Sequence, residues 1–189
     1  MAMTSRELWL SAVKLGPIDR IPFQPKLNAS YPRRYGRDLD YFFDYIGSDR
    51  FVGVPSCVTE KKKVCTFTQK REGNQSVSVY GTPYGNLTRV ELYDVESAAW
   101  HPVRFPVTDR ESVLAMTSWF NDFCYEADPE SIALARARGQ ALGQQGVLAE
   151  TIGISPFMEY LEHYAGIENG HYLLVDYPEE VEALLDAMQ

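Results

Sequence analysis

The sequence predicts an α/β fold in which short parallel strands alternate with helices and an antiparallel meander interrupts the series. Compact apolar stretches at 18–24, 51–54 and 146–151 read as strands, and helical patterns separate them. Apolar and polar residues alternate at 63–70, 75–81 and 86–92, around Glu72-Gly73-Asn74 and Pro83-Tyr84-Gly85, which is the pattern of strands joined by tight turns. Helix-capping patterns recur in front of the apolar-periodic segments. Strands and helices in this order pack as parallel βα units, with the meander as an insertion at about 62–92.

In chain order, Thr4-Ser5-Arg6-Glu7 is a capping box: the Thr4 hydroxyl can accept the backbone N–H three residues on, and Glu7 can reach back. It opens a short amphipathic helix carrying Leu8, Trp9, Ala12, Val13 and Leu15, which ends at Gly16-Pro17. In 18–24, Ile21 and Phe23 share one side of a strand that Pro22 and Pro25 keep short. Leu39, Phe42, Phe43 and Ile46 recur at helical spacing before Gly47, a natural C-cap. The aromatic cluster Tyr41, Phe42, Phe43 and Tyr45 reads as helix packing. A second capping box, Thr108-Asp109-Arg110-Glu111, starts a helix to about Tyr125, and Asp128-Pro129 starts one to about Gly143. Ser155-Pro156 opens a helix to Ala165-Gly166, and Pro178-Glu179-Glu180 opens the last, through Leu185.

The chain is 45% hydrophobic and 23% charged, a globular composition. Its net charge of −8 argues against a general nucleic-acid binder, since phosphate contacts need clustered Lys and Arg. No apolar run approaches the roughly 18 residues of a membrane helix, and Met1 to Arg6 lack the pattern of a signal peptide. Cys57, Cys65 and Cys124 form no CxxC pair, and an odd count is no disulfide framework, so reduced thiols in a cytoplasmic protein are expected.

Five segments stand in order: Pro17-Ile18-Asp19-Arg20-Ile21-Pro22-Phe23 after the opening helix, Thr82-Pro83-Tyr84-Gly85-Asn86-Leu87, and Phe105-Pro106-Val107-Thr108-Asp109. Gly153-Ile154-Ser155-Pro156-Phe157 through Ala165-Gly166, then the stretch around Tyr177-Pro178-Glu179, complete the series. Together they resemble the uroporphyrinogen decarboxylase superfamily, which includes the corrinoid-dependent methyltransferases. The resemblance implies the first half of a (β/α)₈ TIM-type barrel. Such barrels typically need ~250 residues, so the 189 here are expected to be the truncated N-terminal portion of one domain, lacking the C-terminal half.

True uroporphyrinogen decarboxylases carry an RQAGRY loop, an aspartate after the second strand and a tyrosine in the helix after the third. Here the loop reads Lys26-Leu27-Asn28-Ala29-Ser30-Tyr31-Pro32-Arg33-Arg34-Tyr35-Gly36, Ser56 falls at the aspartate and Glu162 at the tyrosine. A substrate with many carboxylates needs fixed cations, and its pyrrole N–H groups need an acceptor. The resemblance therefore favours a methyltransferase or demethylase working with a corrinoid protein and a zinc-bound thiol acceptor over a decarboxylase of tetrapyrrole biosynthesis. A third reading is a non-catalytic binding module. The zinc ligands of that branch, an HxC…C set, belong to the second half, so no cofactor is expected in this one.

The candidate catalytic residue is Glu150, which with Thr151 ends the third strand candidate, where a carboxylate can position a small-molecule substrate or act as a base. A helix-cap or salt-bridge role is equally open. Lys26, Asn28, Arg33 and Arg34 follow the first strand and could bind a carboxylate or phosphate, or form a solvated basic loop; Ser56 and Cys57 are possible pocket linings. Glu159 and His163, at i and i+4, suit a surface ion pair better than a metal site without a third ligand. His101 reads as structural and His171 as a loop residue.

Overall fold

The computed structural model describes residues 2–27, 30–150 and 153–189, leaving aside the side chains of Ser30, Tyr31 and Arg33. The chain runs α1 (Ser5–Val13), α2 (Ser30–Tyr35), α3 (Leu39–Tyr45), β1 (Arg50–Val54), β2 (Val58–Lys62), β3 (Thr66–Glu72), β4 (Gln75–Thr82), β5 (Gly85–Asp94) and β6 (Ala99–Arg104). It continues through α4 (Arg110–Asn121), β7 (Phe123–Ala127), α5 (Pro129–Leu142), β8 (Gly146–Glu150), α6 (Pro156–Glu159), a π-helical turn (Tyr160–Ala165), α7 (Ile167–Asp176) and α8 (Pro178–Ala187). Two compact units form: Met1–Thr59 with Ala127–Ile152, and Glu60–Glu126 with Gly153–Gln189. The two-stranded pair β2–β7 contains two of the points at which the chain passes from one unit to the other.

In the first unit β1 and β8 pair in parallel, in register from Arg50↔Gly146 to Val54↔Glu150. Gly146 is required there, because a Cβ would stand 2.0 Å from the Arg50 carbonyl oxygen. The Thr4 capping box forms as the residue types dictate, with the Thr4 hydroxyl accepting from Glu7 N–H and the Glu7 carboxylate accepting from Thr4 N–H. Helix α1 then buries Leu8 completely and packs on β8. Trp9 lies against Phe51 at 5.3 Å and donates from Nε1 to the Asp49 carbonyl at 3.1 Å.

Asp49, just before β1, is 1% exposed. Its carboxylate accepts from the Arg20 guanidinium, from Ser5 Oγ at 2.7 Å and from Phe23 N–H at 2.9 Å. Those donors hold its carboxyl well below the usual carboxylate range. Beside β1, the Gln24 side-chain amide accepts from Phe51 N–H at 2.5 Å and donates to the Phe51 carbonyl at 3.0 Å. A side chain thus does for one residue of β1 what a neighbouring backbone would do.

The second unit holds the main core, which includes Tyr80, Leu87, Val113, Met116, Trp119, Tyr164 and Leu184. Strands β3 to β6 form an antiparallel meander, with Thr66↔Gly81, Gln75↔Leu92 and Leu92↔His101 among the pairs and a bulge at Val90/Glu91. Alternation along β4 buries Ser76, Ser78 and Tyr80 on one face, and the Gln69 amide satisfies both serine hydroxyls. Helix α4 lies on β4 and β5, capped by Asp109, whose carboxylate accepts from Ser112 N–H at 2.8 Å. The π-helical turn buries Tyr160 and Tyr164, and the Tyr160 hydroxyl donates to the Gly170 carbonyl. The outer strands differ from the inner ones. Every residue of β3 is exposed, among them Lys70, Arg71 and Glu72, and β6 carries Pro102.

The expected half of a (β/α)₈ barrel is not formed. The described residues make three small separate sheets, β1 and β8 pairing in parallel, with no closed or barrel-type arrangement. The physical reason begins at 18–24, which makes no strand ladder: Pro22 and Pro25 lack an N–H, and Gln24 meets β1 through its side chain. After β1 the chain enters β2 and the meander, so only β8 returns to pair in parallel. The basic loop is partly helical as α2. The helix expected to reach Tyr125 stops at Asn121 and is followed by β7, and 167–176 is helical.

Candidate functional site

In the first unit, the parallel register carries Val54 and Glu150 to the same end of the β1–β8 pair. Glu150 is exposed, and its Oε1 accepts the Cys57 backbone N–H at 3.0 Å. The segment 55–57 is fixed further by Asp128 N–H donating to the Cys57 carbonyl at 2.8 Å, and Ser56 Oγ accepts from Val58 N–H at 3.3 Å. One carboxylate oxygen is therefore engaged in holding the turn after β1. The arrangement can position a substrate proton or amine near the strand ends, and it brings together two segments that are remote in sequence.

Of the other sequence-predicted residues, Ser56 and Cys57 join Glu150 at this end. Lys26 and Arg34 are exposed, and among the described residues no hydrogen bond or ion pair joins either to Glu150. Asn28 and Thr151 lie outside the described residues, as does the side chain of Arg33. Their neighbours Leu27 and Tyr35 help line a cavity of about 590 Å³ with Phe23, Tyr41, Tyr45 and Arg37. Tyr41 and Tyr45 stack at 6.3 Å with an interplanar angle of 14°, and Tyr45 is 79% exposed. The aromatic cluster of α3 is thus a cavity wall as well as helix packing.

The histidines go elsewhere. His163 Nδ1 lies 3.4 Å from the Arg89 guanidinium and Glu159 accepts from the Tyr164 hydroxyl, so the i, i+4 ion pair is not what these residues make. His101 meets Ser97 Oγ at 2.9 Å, and His171, within α7, meets the Ile167 carbonyl at 2.6 Å. Among the described residues no group of three or more His, Cys, Asp or Glu could hold a metal ion. The residues present do not fit zinc, and no step through zinc follows from them. No helix of the described residues is long and apolar enough to cross a membrane.

A second cluster escaped the sequence reading. In the second unit, the Lys62 ammonium stands 3.4 Å from the ring centroid of Trp119 and 3.2 Å from that of Phe123, and it donates to the Trp119 carbonyl. Burial pushes its pKa down to about 8. The turn after it is held by Asp122, whose Oδ2 accepts three successive N–H groups, those of Lys63, Val64 and Cys65. These three donors lower the Asp122 carboxyl, and burial raises the Cys65 thiol. The available signal was Lys62 within the charge run Glu60-Lys61-Lys62-Lys63, which reads as solvated unless its aromatic partners are known. No family model, curated protein or solved structure matches the chain.

Proposed function

We propose that the chain handles a small-molecule substrate at the carboxyl ends of β1 and β8, as part of an enzyme of the uroporphyrinogen decarboxylase superfamily that works in methyl transfer rather than decarboxylation. The observation that carries this reading is the parallel pairing that joins Glu150 to the turn at Cys57. In α/β folds ligands bind outside the carboxyl ends of parallel strands, where polar residues of separate loops converge. Glu150 is the positioning carboxylate, and Lys26 and Arg34 are the cations that recognise an anionic group of substrate. Against decarboxylation stand Ser56 and Glu162, which fall where the resemblance to the decarboxylases calls for the aspartate that accepts pyrrole N–H groups and for the tyrosine.

The test is a pair of binding titrations on the purified chain, one with methylcobalamin followed by absorbance and one with uroporphyrin followed by fluorescence. Saturable methylcobalamin binding, weakened by Glu150→Ala, with little uroporphyrin binding, is the expected result. Preferential uroporphyrin binding moves the assignment to the decarboxylases. Failure of both ligands to bind overturns the reading.

A further inference from the structure

The second unit contains a cleft of about 480 Å³ walled by Phe67, Tyr80, Trp119, Phe123 and Tyr164, with Lys62 on its lining. Its size falls within the ~300–1,000 Å³ of small-molecule sites. The walls meet edge to face: Tyr80 and Trp119 at 5.1 Å and 83°, Trp119 and Phe123 at 4.8 Å and 86°. Lys62 covers the Trp119 and Phe123 rings, while Phe67, half exposed, leaves its ring open to a ligand.

Donors without a matching acceptor gather at this cleft, although Asp122 and Glu60 act on Lys62 from beyond ion-pair distance. Among the described residues Lys62 has no carboxylate within ion-pair distance. Its ammonium has three N–H donors, and its recorded polar acceptor is the Trp119 carbonyl. Two buried side-chain atoms of the described residues lack a partner, Trp119 Nε1 and Arg89 Nε, and both are donors. Trp119 lines the cleft, and Arg89 lies close enough to Tyr80 and Tyr164 to act on their phenols. A half-buried cation and unmet N–H groups call for an acceptor, and a charged acceptor serves best. The one lining carboxylate, Glu60, is exposed at the surface.

We propose that this cleft binds a flat aromatic carboxylate, its ring lying against Phe67 and its carboxylate paired with Lys62. A cationic ligand is disfavoured, because the Lys62 ammonium already occupies the aromatic faces that would receive it. A neutral ring would gain the stacking but leave the cation unpaired. Burial, which pulls the Lys62 pKa down to about 8, is the cost that a bound carboxylate would relieve. The site lies wholly within the second unit, so it stands or falls separately from the reading of the β1 and β8 ends.

Calorimetric titration of the whole chain with naphthalene-2-carboxylate, naphthalene-2-methanol and 2-naphthylmethylammonium tests the proposal. The carboxylate should bind one to one and about tenfold more tightly than the alcohol, the scale of one charge-assisted hydrogen bond. Lys62→Met should abolish that preference and Lys62→Arg should keep it, with circular dichroism showing both variants folded. Trp119→Phe, which keeps a ring and loses Nε1–H, should weaken the carboxylate alone. Should Lys62→Met not fold, the wild-type ligand series with Trp119→Phe decides. Equal binding of acid and alcohol, tighter binding of the ammonium, or no binding of the acid at millimolar concentration overturns the proposal.

Discussion

Phe23 and Asp49 bind each other twice, the Asp49 N–H donating to the Phe23 carbonyl at 2.8 Å and the Phe23 N–H donating to the Asp49 carboxylate at 2.9 Å. One bond is backbone to backbone and the other uses a side chain. A segment with prolines on both sides of this point is thereby fastened to the start of β1 without becoming a strand.

Asp49→Ala is expected to destabilise the first unit by about 2 kcal/mol, below the ~3–5 kcal/mol of a fully buried pair because the Arg20 side chain is 49% exposed. Chemical denaturation followed by near-ultraviolet circular dichroism measures it. The Asp49 carboxyl is lowered in the fold, so its contribution is complete above the unfolded carboxylate range, ~3.9, and fades as the pH falls toward the native value. The acid limb of stability should flatten below pH ~4 in Asp49→Ala relative to wild type.

Gly146→Ala is expected to break the β1–β8 pair. The added methyl would meet the Arg50 carbonyl oxygen at 2.0 Å and the Arg50 Cβ at 2.5 Å, and backbone cannot move aside as a side-chain tip can. A loss of ~3 kcal/mol or more is expected, at or above the upper end for overpacking. Hydrogen exchange at Phe51 to Val54 should accelerate, and unchanged protection there would refute the register.

Glu150→Gln should leave the fold unchanged within ~0.5 kcal/mol, since an amide oxygen still accepts from Cys57 N–H. Ligand binding at the strand ends should fall with loss of the charge. A stability loss as large as that of Glu150→Ala would mean that the carboxylate serves the turn alone.

Lys62 sets an alkaline trend. Its native pKa, about 8, lies below the ~10.4 of an unfolded lysine, so the unfolded chain binds more protons between those values and stability rises with pH. The raised Cys65 thiol opposes this trend above pH ~8.5, so the rise is read as the difference between wild type and Lys62→Met, which should grow from pH ~8 to ~10. A difference that stays constant over that interval would contradict the desolvated ammonium. Cys65, buried and with its thiol raised, should react with a disulfide reagent after Cys57 and Cys124, both partly exposed.

Elements fixed by local chemistry were legible in the sequence. The Thr4 box and the Asp128-Pro129 start form as read, while at the second box Asp109 pairs with Ser112 rather than Thr108 with Glu111. The strands at 51–54 and 146–151 correspond to β1 and β8, and the meander is present with a fourth strand, β6, at its end. What failed depended on partners. His171 read as a loop residue, yet it lies within α7, as does Gly170, where a Cβ would come within 2.6 Å of Leu161. Phe123-Cys124-Tyr125 read as the end of a helix, and pairing with β2 makes it a strand. The family resemblance suggested a barrel, and two prolines beside Gln24 removed its first strand. Glu150 was visible because it ends a strand. The aromatic setting of Lys62 was not, since Trp119 and Phe123 lie far from it in sequence.

The outer strands of the meander bear on how this molecule behaves among its own copies. Unsatisfied edges invite neighbouring chains to extend a sheet, and β-rich proteins that lack protection assemble into aggregates. Pro102, opposite Glu91, cannot donate outward from β6, and the bulge at Val90/Glu91 bends that margin. On the other side the charges of Lys70, Arg71 and Glu72 would have to be stripped of water before another strand could dock. Both margins of the meander thus carry features that oppose the docking of a further strand.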